Sequence, residues 1–152
     1  MVDKVDTETR SRMMANVKSK NTKPELKVRS LLHRKGLRFR LHGKDLPGKP
    51  DIILPKFNAV IFVNGCFWHG HKNCKLAKLP TTRIEFWENK INKNQLNDEK
   101  NIQNLIKNKW RVCILWGCAI KGNKVNLETS INTIYEWLHS DSNFIEIEKP
   151  LF

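Results

Sequence analysis

The sequence predicts an α/β fold with a mixed central β-sheet flanked by helices. Three observations predict it. Three short apolar stretches joined by turn residues fall between positions 37 and 64. A long polar helical stretch follows, from about Thr82 to Lys109. An apolar run, Trp110–Trp116, then precedes an amphipathic helix at Asn126–Ser140. A three-stranded meander joined through a crossover helix to a parallel fourth strand gives a mixed sheet with helices on its faces.

The elements follow in order. Residues 1–20 are polar and basic and read as an arm, with at most a short helix around Thr9–Lys18. Thr22-Lys-Pro-Glu25 opens a helix, with Thr as cap, Pro in the first turn and Glu three residues after the cap. Val28, Leu31 and Leu32 give its apolar face, and Gly36 stops it. Residues 37–42 alternate like a half-buried strand. Pro47-Gly-Lys-Pro50 forces a loop, and Asp51–Leu54, the turn Pro55–Asn58 and the apolar Ala59–Asn64 form a hairpin. Gly65 opens an irregular segment, CFWHGHKNC. In the last helix Leu127, Ile131, Ile134 and Leu138 share a face, and 141–152 reads as a tail without a defined element. The chain of 152 residues is thus an arm (1–20), one main domain (21–140) and a tail (141–152).

A net charge of +13 is not needed for folding, but it favours a polyanionic partner. Of the 28 basic residues, 14 lie in the first fifty positions against five acids, which concentrates the charge where the arm is. Nucleic acid fits better than a merely solvated surface or a membrane surface. Met1–Lys20 lacks the apolar core of a signal peptide, and no apolar run approaches the length of a membrane span. The expectation is a cytoplasmic protein whose four cysteines are reduced.

Cys66, His71 and Cys74 fall within nine residues, a spacing that suits tetrahedral zinc. Cys113 alternates out of phase with Trp110, Val112, Ile114 and Trp116, as a small buried hydrophobe would. Cys118 lies two residues past its strand, as Cys66 lies two past Asn64. If those strands are parallel neighbours, both emerge at one sheet edge, which makes Cys118 the better fourth ligand. His69 is the alternative to His71.

Acids are scarce here, so their positions carry weight. Asp51 follows Pro at the start of a strand, with Glu25 on an upstream helix. That arrangement resembles the catalytic core of the PD-(D/E)XK nucleases, a restriction-endonuclease-like fold in which a carboxylate holds magnesium for phosphodiester hydrolysis. The following strand, AVIFVNGC, lacks the D/E-x-K half, so the Val63 carbonyl is the candidate second ligand, and His69 the candidate for proton transfer. The ordinary alternatives are loop capping for Asp51, a capping box for Glu25 and a surface position for His69. Phe67, Trp68 and Trp87 sit among polar residues, where flat rings could stack on or wedge between bases. Met14 could enter the opposite groove from the arm.

From about Thr9 to Trp137 the chain resembles the very-short-patch repair (Vsr) endonucleases, bacterial enzymes that act on T·G mismatches. The stretches that carry the resemblance are TRSRMMANVKSKNTKPE, LPGKPDIILP, AVIFVNGCFWHGHKNC, TRIEFWENKINKN and WRVCILWGCAIKG. The resemblance implies magnesium at Asp51 with the Val63 carbonyl, catalysis completed by His69 and Glu25, and structural zinc on Cys66, His71, Cys74 and Cys118. It implies intercalation by Phe67, Trp68 and Trp87 with Met14, and target contacts from Lys90 and Asn94. Family members often carry His or Asp where this chain has Asn64, which can hydrogen-bond but supplies neither charge nor base. The implied activity is a single-strand nick 5′ of the mispaired thymine by a monomer, leaving a 5′-phosphate and a 3′-hydroxyl. The mismatch would arise by deamination of 5-methylcytosine, linking the enzyme to a cytosine-5 methyltransferase and to mismatch-repair proteins. The competing readings are a restriction-type double-strand endonuclease and a non-catalytic, zinc-stabilised DNA-binding module.

Overall fold

The computed structural model describes residues 22–121 and 124–149. Met14 and the rest of the basic arm lie outside the described residues.

Helix α1 (Lys23–Arg34) forms where its cap predicts: the Thr22 hydroxyl accepts the Glu25 N–H at 3.4 Å. It ends in a Schellman turn. Gly36, at φ +81°, donates to the His33 carbonyl, and Leu37 donates back to Leu32. The turn buries Leu37 in the same cluster as Leu32.

Strands β1 (Arg40–Leu41), β2 (Ile52–Leu54) and β3 (Ala59–Asn64) form the antiparallel meander. A left-handed Asn58 closes the 3-10 turn Pro55–Phe57 between β2 and β3. β1 is shorter than the alternation over 37–42 predicts. Among the described residues it is an edge strand paired with β2 alone, and both of its residues are exposed, so burial does not extend it.

Helix α2 (Ile84–Lys107) crosses over to β4 (Arg111–Trp116) as one unbroken helix. β4 lies parallel to β3, with Ala59 opposite Arg111 and Asn64 opposite Trp116. A single turn of helix, α3 (Gly117–Ile120), and the amphipathic α4 (Lys124–Leu138) follow. The tail is not featureless. Phe144–Ile147 forms β5, parallel to β4, and completes a sheet of order β1-β2-β3-β4-β5. Arg111 fixes this return. Its guanidinium donates to the carbonyls of Trp137, Leu138, Ser140 and Ser142, the path from the end of α4 toward β5.

Side-chain alternation along the strands divides the core between two faces. Cys113 and Leu115 turn toward α1 and α4, joining Val28, Leu32, Ile131 and Ile134. Val112, Ile114 and Trp116 turn toward Leu105 on α2, joining Val60 and Cys66. The result is a mixed sheet covered on both faces, as the sequence predicts. Among the described residues no helix is long and apolar enough to cross a membrane.

Candidate active site and metal centre

Asp51 ends the antiparallel ladder with its side chain. Its N–H donates to the Ile61 carbonyl at 3.1 Å, and its carboxylate accepts the Val63 N–H at 2.7 Å. The side chain therefore bridges across to β3. Glu25 reaches the same place from α1. Its backbone N–H completes half of the capping box, but its carboxylate turns inward, 3 % exposed, to pair with Arg29 at 3.0 Å and to meet Asp51. Burial pushes the Asp51 carboxyl up to about 7. The Val63 N–H opposes the rise, neighbouring Glu25 adds to it and His69 lowers it. Two carboxyl groups held together away from water form a site that a hard divalent cation would relieve.

His69 sits in the turn after β3, where its N–H donates to Gly65. Its Nδ1 lies 2.5 Å from the Asp98 carboxylate on α2. Asp51, Glu25, His69 and Asp98 line one cleft of about 1030 Å³, together with Val63, Asn64 and the lysines Lys44, Lys49 and Lys121. His42 also lines it, at φ +54° and with its Nε2 3.4 Å from Arg29. Neither Asp98 nor His42 stands out in the sequence. Asp98 is one acid in a polar helix, and only its phase marks it: Trp87, Ile91, Asn94, Gln95 and Asp98 recur at helical spacing.

That face of α2 holds the loop between β3 and the metal-ligand cluster. Asn94 donates to the Trp68 carbonyl at 2.9 Å, and Gln95 donates to Gly70 at 3.0 Å. Gly70 is required twice over. It adopts φ +61°, and a Cβ there would meet Gln95 Nε2 at 2.4 Å and Ile91 Cγ2 at 2.6 Å. The loop presents Phe67 and Trp68 to Trp87, with ring centroids 5.3–5.9 Å apart and all edge to face. Trp87 is buried, Phe67 and Trp68 half-buried. Phe86 beside them is exposed under the Arg83 guanidinium, 4.4 Å away. Lys90 is exposed on the same helix.

Cys66, His71, Cys74 and Cys118 place one ligand atom each within 4.8 Å of one another. The parallel register accounts for the meeting of Cys66 and Cys118, since each lies two residues beyond the Asn64–Trp116 pair. The Cys118 N–H donates to Cys66 Sγ at 3.3 Å, and His71 Nδ1 lies 3.6 Å from Cys118 Sγ. His69 is not in the cluster. Cys113 is fully buried on the other face of the sheet. Burial pushes the Cys66 thiol up to about 12, and the N–H of Cys118 works against this. Cys74, nearer the surface, is lowered: slight burial opposes ionisation, but the Leu76 N–H and hydrogen bonds to His71, Cys66 and Cys118 outweigh it. Three sulfurs and an imidazole suit a borderline-soft tetrahedral ion. With metal–sulfur bonds of roughly 2.3 Å the tetrahedral edge is roughly 3.8 Å, so small shifts would close the cluster on the ion.

The chain is similar to known DNA-nicking enzymes. A family profile described as DNA mismatch endonuclease Vsr matches residues 2–76. The type II nicking enzyme V.XorIIP of Xanthomonas oryzae is 48% identical over 120 residues, 79% of this chain and 88% of that protein. The DNA mismatch endonuclease Vsr of Escherichia coli is 40% identical over 149 residues, 97% of this chain and 95% of that protein. The type II nicking enzyme V.NmeAIP of Neisseria meningitidis is 41% identical over 125 residues, 82% and 89% respectively. With a relative matched along nearly its whole length and the acids, imidazoles and thiols gathered as described, this chain belongs to the Vsr family of DNA mismatch endonucleases and is a DNA-nicking hydrolase.

Proposed function

We propose that this enzyme nicks duplex DNA on the 5′ side of the mispaired thymine of a T·G mismatch, by magnesium-dependent hydrolysis on a PD-(D/E)XK-type core. One observation carries the reading: the Asp51–Glu25 carboxyl pair and the His69–Asp98 pair face a single lysine-rimmed cleft that adjoins an aromatic cluster.

The Asp51 carboxylate and the Val63 carbonyl would hold magnesium, with Glu25 behind Asp51. When bound, the ion offsets charge on the phosphate and positions the attacking water. Asp98 holds the His69 ring through Nδ1 and leaves Nε2 to exchange a proton with water or the leaving oxygen. Asn64, buried at the end of β3, can orient a hydrogen-bonding partner but takes no proton at neutral pH. Lys44, Lys49 and Lys121 attract the backbone phosphates.

Zinc on Cys66, His71, Cys74 and Cys118 would be structural, filling all four positions and fixing the loop that carries Phe67 and Trp68. Those rings and Trp87 would enter the stack beside the mismatch, with Met14 arriving from the arm 1–20. Lys90 would contact the target strand. Asn94 would do so by way of the loop it holds, since its amide already binds the Trp68 carbonyl. The enzyme would act as a monomer on bacterial chromosomal DNA in the cytoplasm. Its substrate would come from deaminated 5-methylcytosine, in concert with a cytosine-5 methyltransferase and mismatch-repair proteins.

The test is a strand-specific assay on paired T·G and T·A duplexes with magnesium, manganese or chelator. The expected product is one nick, in the thymine strand of the T·G duplex, requiring magnesium. Cleavage of both strands would favour a restriction-type enzyme, and binding without cleavage a non-catalytic module.

A further inference from the structure

The last described strand does more than complete the sheet. Around its final pair, Leu115 with Ile147, β5 and the two residues after it pass along the thiol–imidazole cluster, touching it at two points and its neighbour Trp116 at a third. Glu146 accepts the Trp116 indole N–H at 2.5 Å. Glu148 lies 2.5 Å from His71 Nε2. The Lys149 N–H donates to Cys118 Sγ at 3.4 Å. Trp116 closes the arrangement, its ring stacked on His71 with centroids 4.1 Å apart and planes 11° apart.

These contacts have one chemical sense. His71 turns Nδ1 toward the sulfurs, so its proton belongs on Nε2, where Glu148 accepts it. That tautomer presents a lone pair to the cluster, and a carboxylate behind the ring makes the nitrogen a better donor. The Lys149 N–H aimed at Cys118 Sγ gives that sulfur a hydrogen-bond donor from outside the cluster, as outer contacts orient metal ligands. β5 itself is four residues long, pairs among the described residues with β4 alone, and has Ile147 as its one buried residue. Ile147 and Ile145 pack on one core cluster and Phe144 on the other, so the strand is held by the sheet as well as by these contacts.

We propose that Glu146–Lys149 is an outer clasp of the metal cluster, with Glu148 the positioning residue for His71, so that metal retention and the seating of this segment are coupled. The proposal rests on the zinc reading above. Linkage requires the coupling to run both ways: a ligated His71 and Cys118 hold the segment down, and the seated segment slows escape of the ion.

The test uses the full chain. Zinc content is measured by mass spectrometry, release is followed with a chromogenic chelator, and hydrogen exchange is followed at the amides of Ile145–Ile147. Cobalt-substituted protein reports ligand geometry through its absorption bands. Glu148→Ala should bind one zinc but release it roughly 10–100-fold faster, shift the cobalt bands and lose exchange protection in β5. Glu148→Gln, which keeps an acceptor without the charge, should fall between. Chelated wild-type protein should lose the same protection. Wild-type protein without zinc overturns the zinc reading and the clasp with it. Zinc-bound protein in which Glu148→Ala leaves release, cobalt spectrum and β5 protection unchanged overturns the clasp alone.

Discussion

His69, in the turn after β3, is held through Nδ1 by Asp98, nearly thirty residues away in the middle of α2, at 2.5 Å. The pair joins the loop of the thiol–imidazole cluster to the helix that packs over it. Asp98→Asn keeps the shape but offers the ring an amide that satisfies either tautomer. Single-turnover nicking should fall roughly 10²–10³-fold, within the range that acid–base groups contribute, while affinity for the T·G duplex stays within twofold. Wild-type nicking by Asp98→Asn would remove His69 from proton transfer.

Asp51→Asn should abolish nicking yet bind mismatched duplex as well as or better than wild type, because it removes a negative charge that would face phosphate. The substitution should also reveal the cost of the site. The Asp51 carboxyl is raised from 3.8 to about 7, chiefly by burial, so between those values the metal-free fold holds a proton that the unfolded chain has released. Stability contributed at this position is therefore lost as pH rises through that window and stays lost above it. The Tm advantage of Asp51→Asn over metal-free wild type should be absent near pH 4 and grow to its full value by pH 8. Magnesium competes with the same proton, so its affinity for wild type should drop by up to about tenfold per unit as pH falls below 7. A Tm difference that does not change with pH would show that Asp51 titrates normally.

Cys118→Ala should lose zinc and stability together. Cys113→Ala, made in the core face against α1 and α4, should keep stoichiometric zinc and lose about 1 kcal/mol by leaving a small cavity. Metal analysis and chemical unfolding of the two variants separate the roles. Zinc retained by Cys118→Ala would refute the four-ligand cluster.

Trp68→Ala should narrow the preference for T·G over T·A duplexes by roughly 1–3 kcal/mol, the usual worth of one stacked base, with metal content unchanged. Equilibrium binding to both duplexes measures it. Full discrimination by Trp68→Ala would move the wedge to Phe67 or to the exposed Phe86.

Gly70→Ala should act like a loop mutation rather than a core mutation. The new Cβ conflicts with Gln95 and Ile91 and strains a left-handed residue, so the turn must shift off α2 and carry Trp68 and His69 with it. Nicking and mismatch discrimination should fall together, with a loss of about 1–3 kcal/mol in chemical unfolding from the strained turn. Loss of nicking alone would mean that the loop still presents its rings correctly.

The layering and the gathering of the thiols were legible in the sequence because both follow from spacing along the strands. Cys113 lies out of phase with its strand neighbours, and Cys66 and Cys118 lie equal distances past two apolar runs, so a parallel pairing brings them together. Three features were not legible. β5 hides in a stretch of only four residues, and the chain is guided into it by Arg111 of β4, which binds the carbonyls of Trp137, Leu138, Ser140 and Ser142. β1 is an edge whose length the neighbouring strand decides. Asp98 and His42 join the cleft through tertiary packing, and nothing local distinguishes one acid in a polar helix or one histidine in a basic loop.

The parallel pairing of β3 with β4 also bears on how such a chain can diversify. Cys66 and Cys118 leave the sheet side by side, and all of α2 lies in the chain between them. Both ends of that long excursion are fastened at one point, while only the inward stripe of the helix is committed to the loop and the sheet. Its outer stripe, including Lys90 and Leu96, faces solvent and holds nothing else in place. Substitutions along that stripe should therefore leave the anchorage of the excursion, and the cleft beside it, in place.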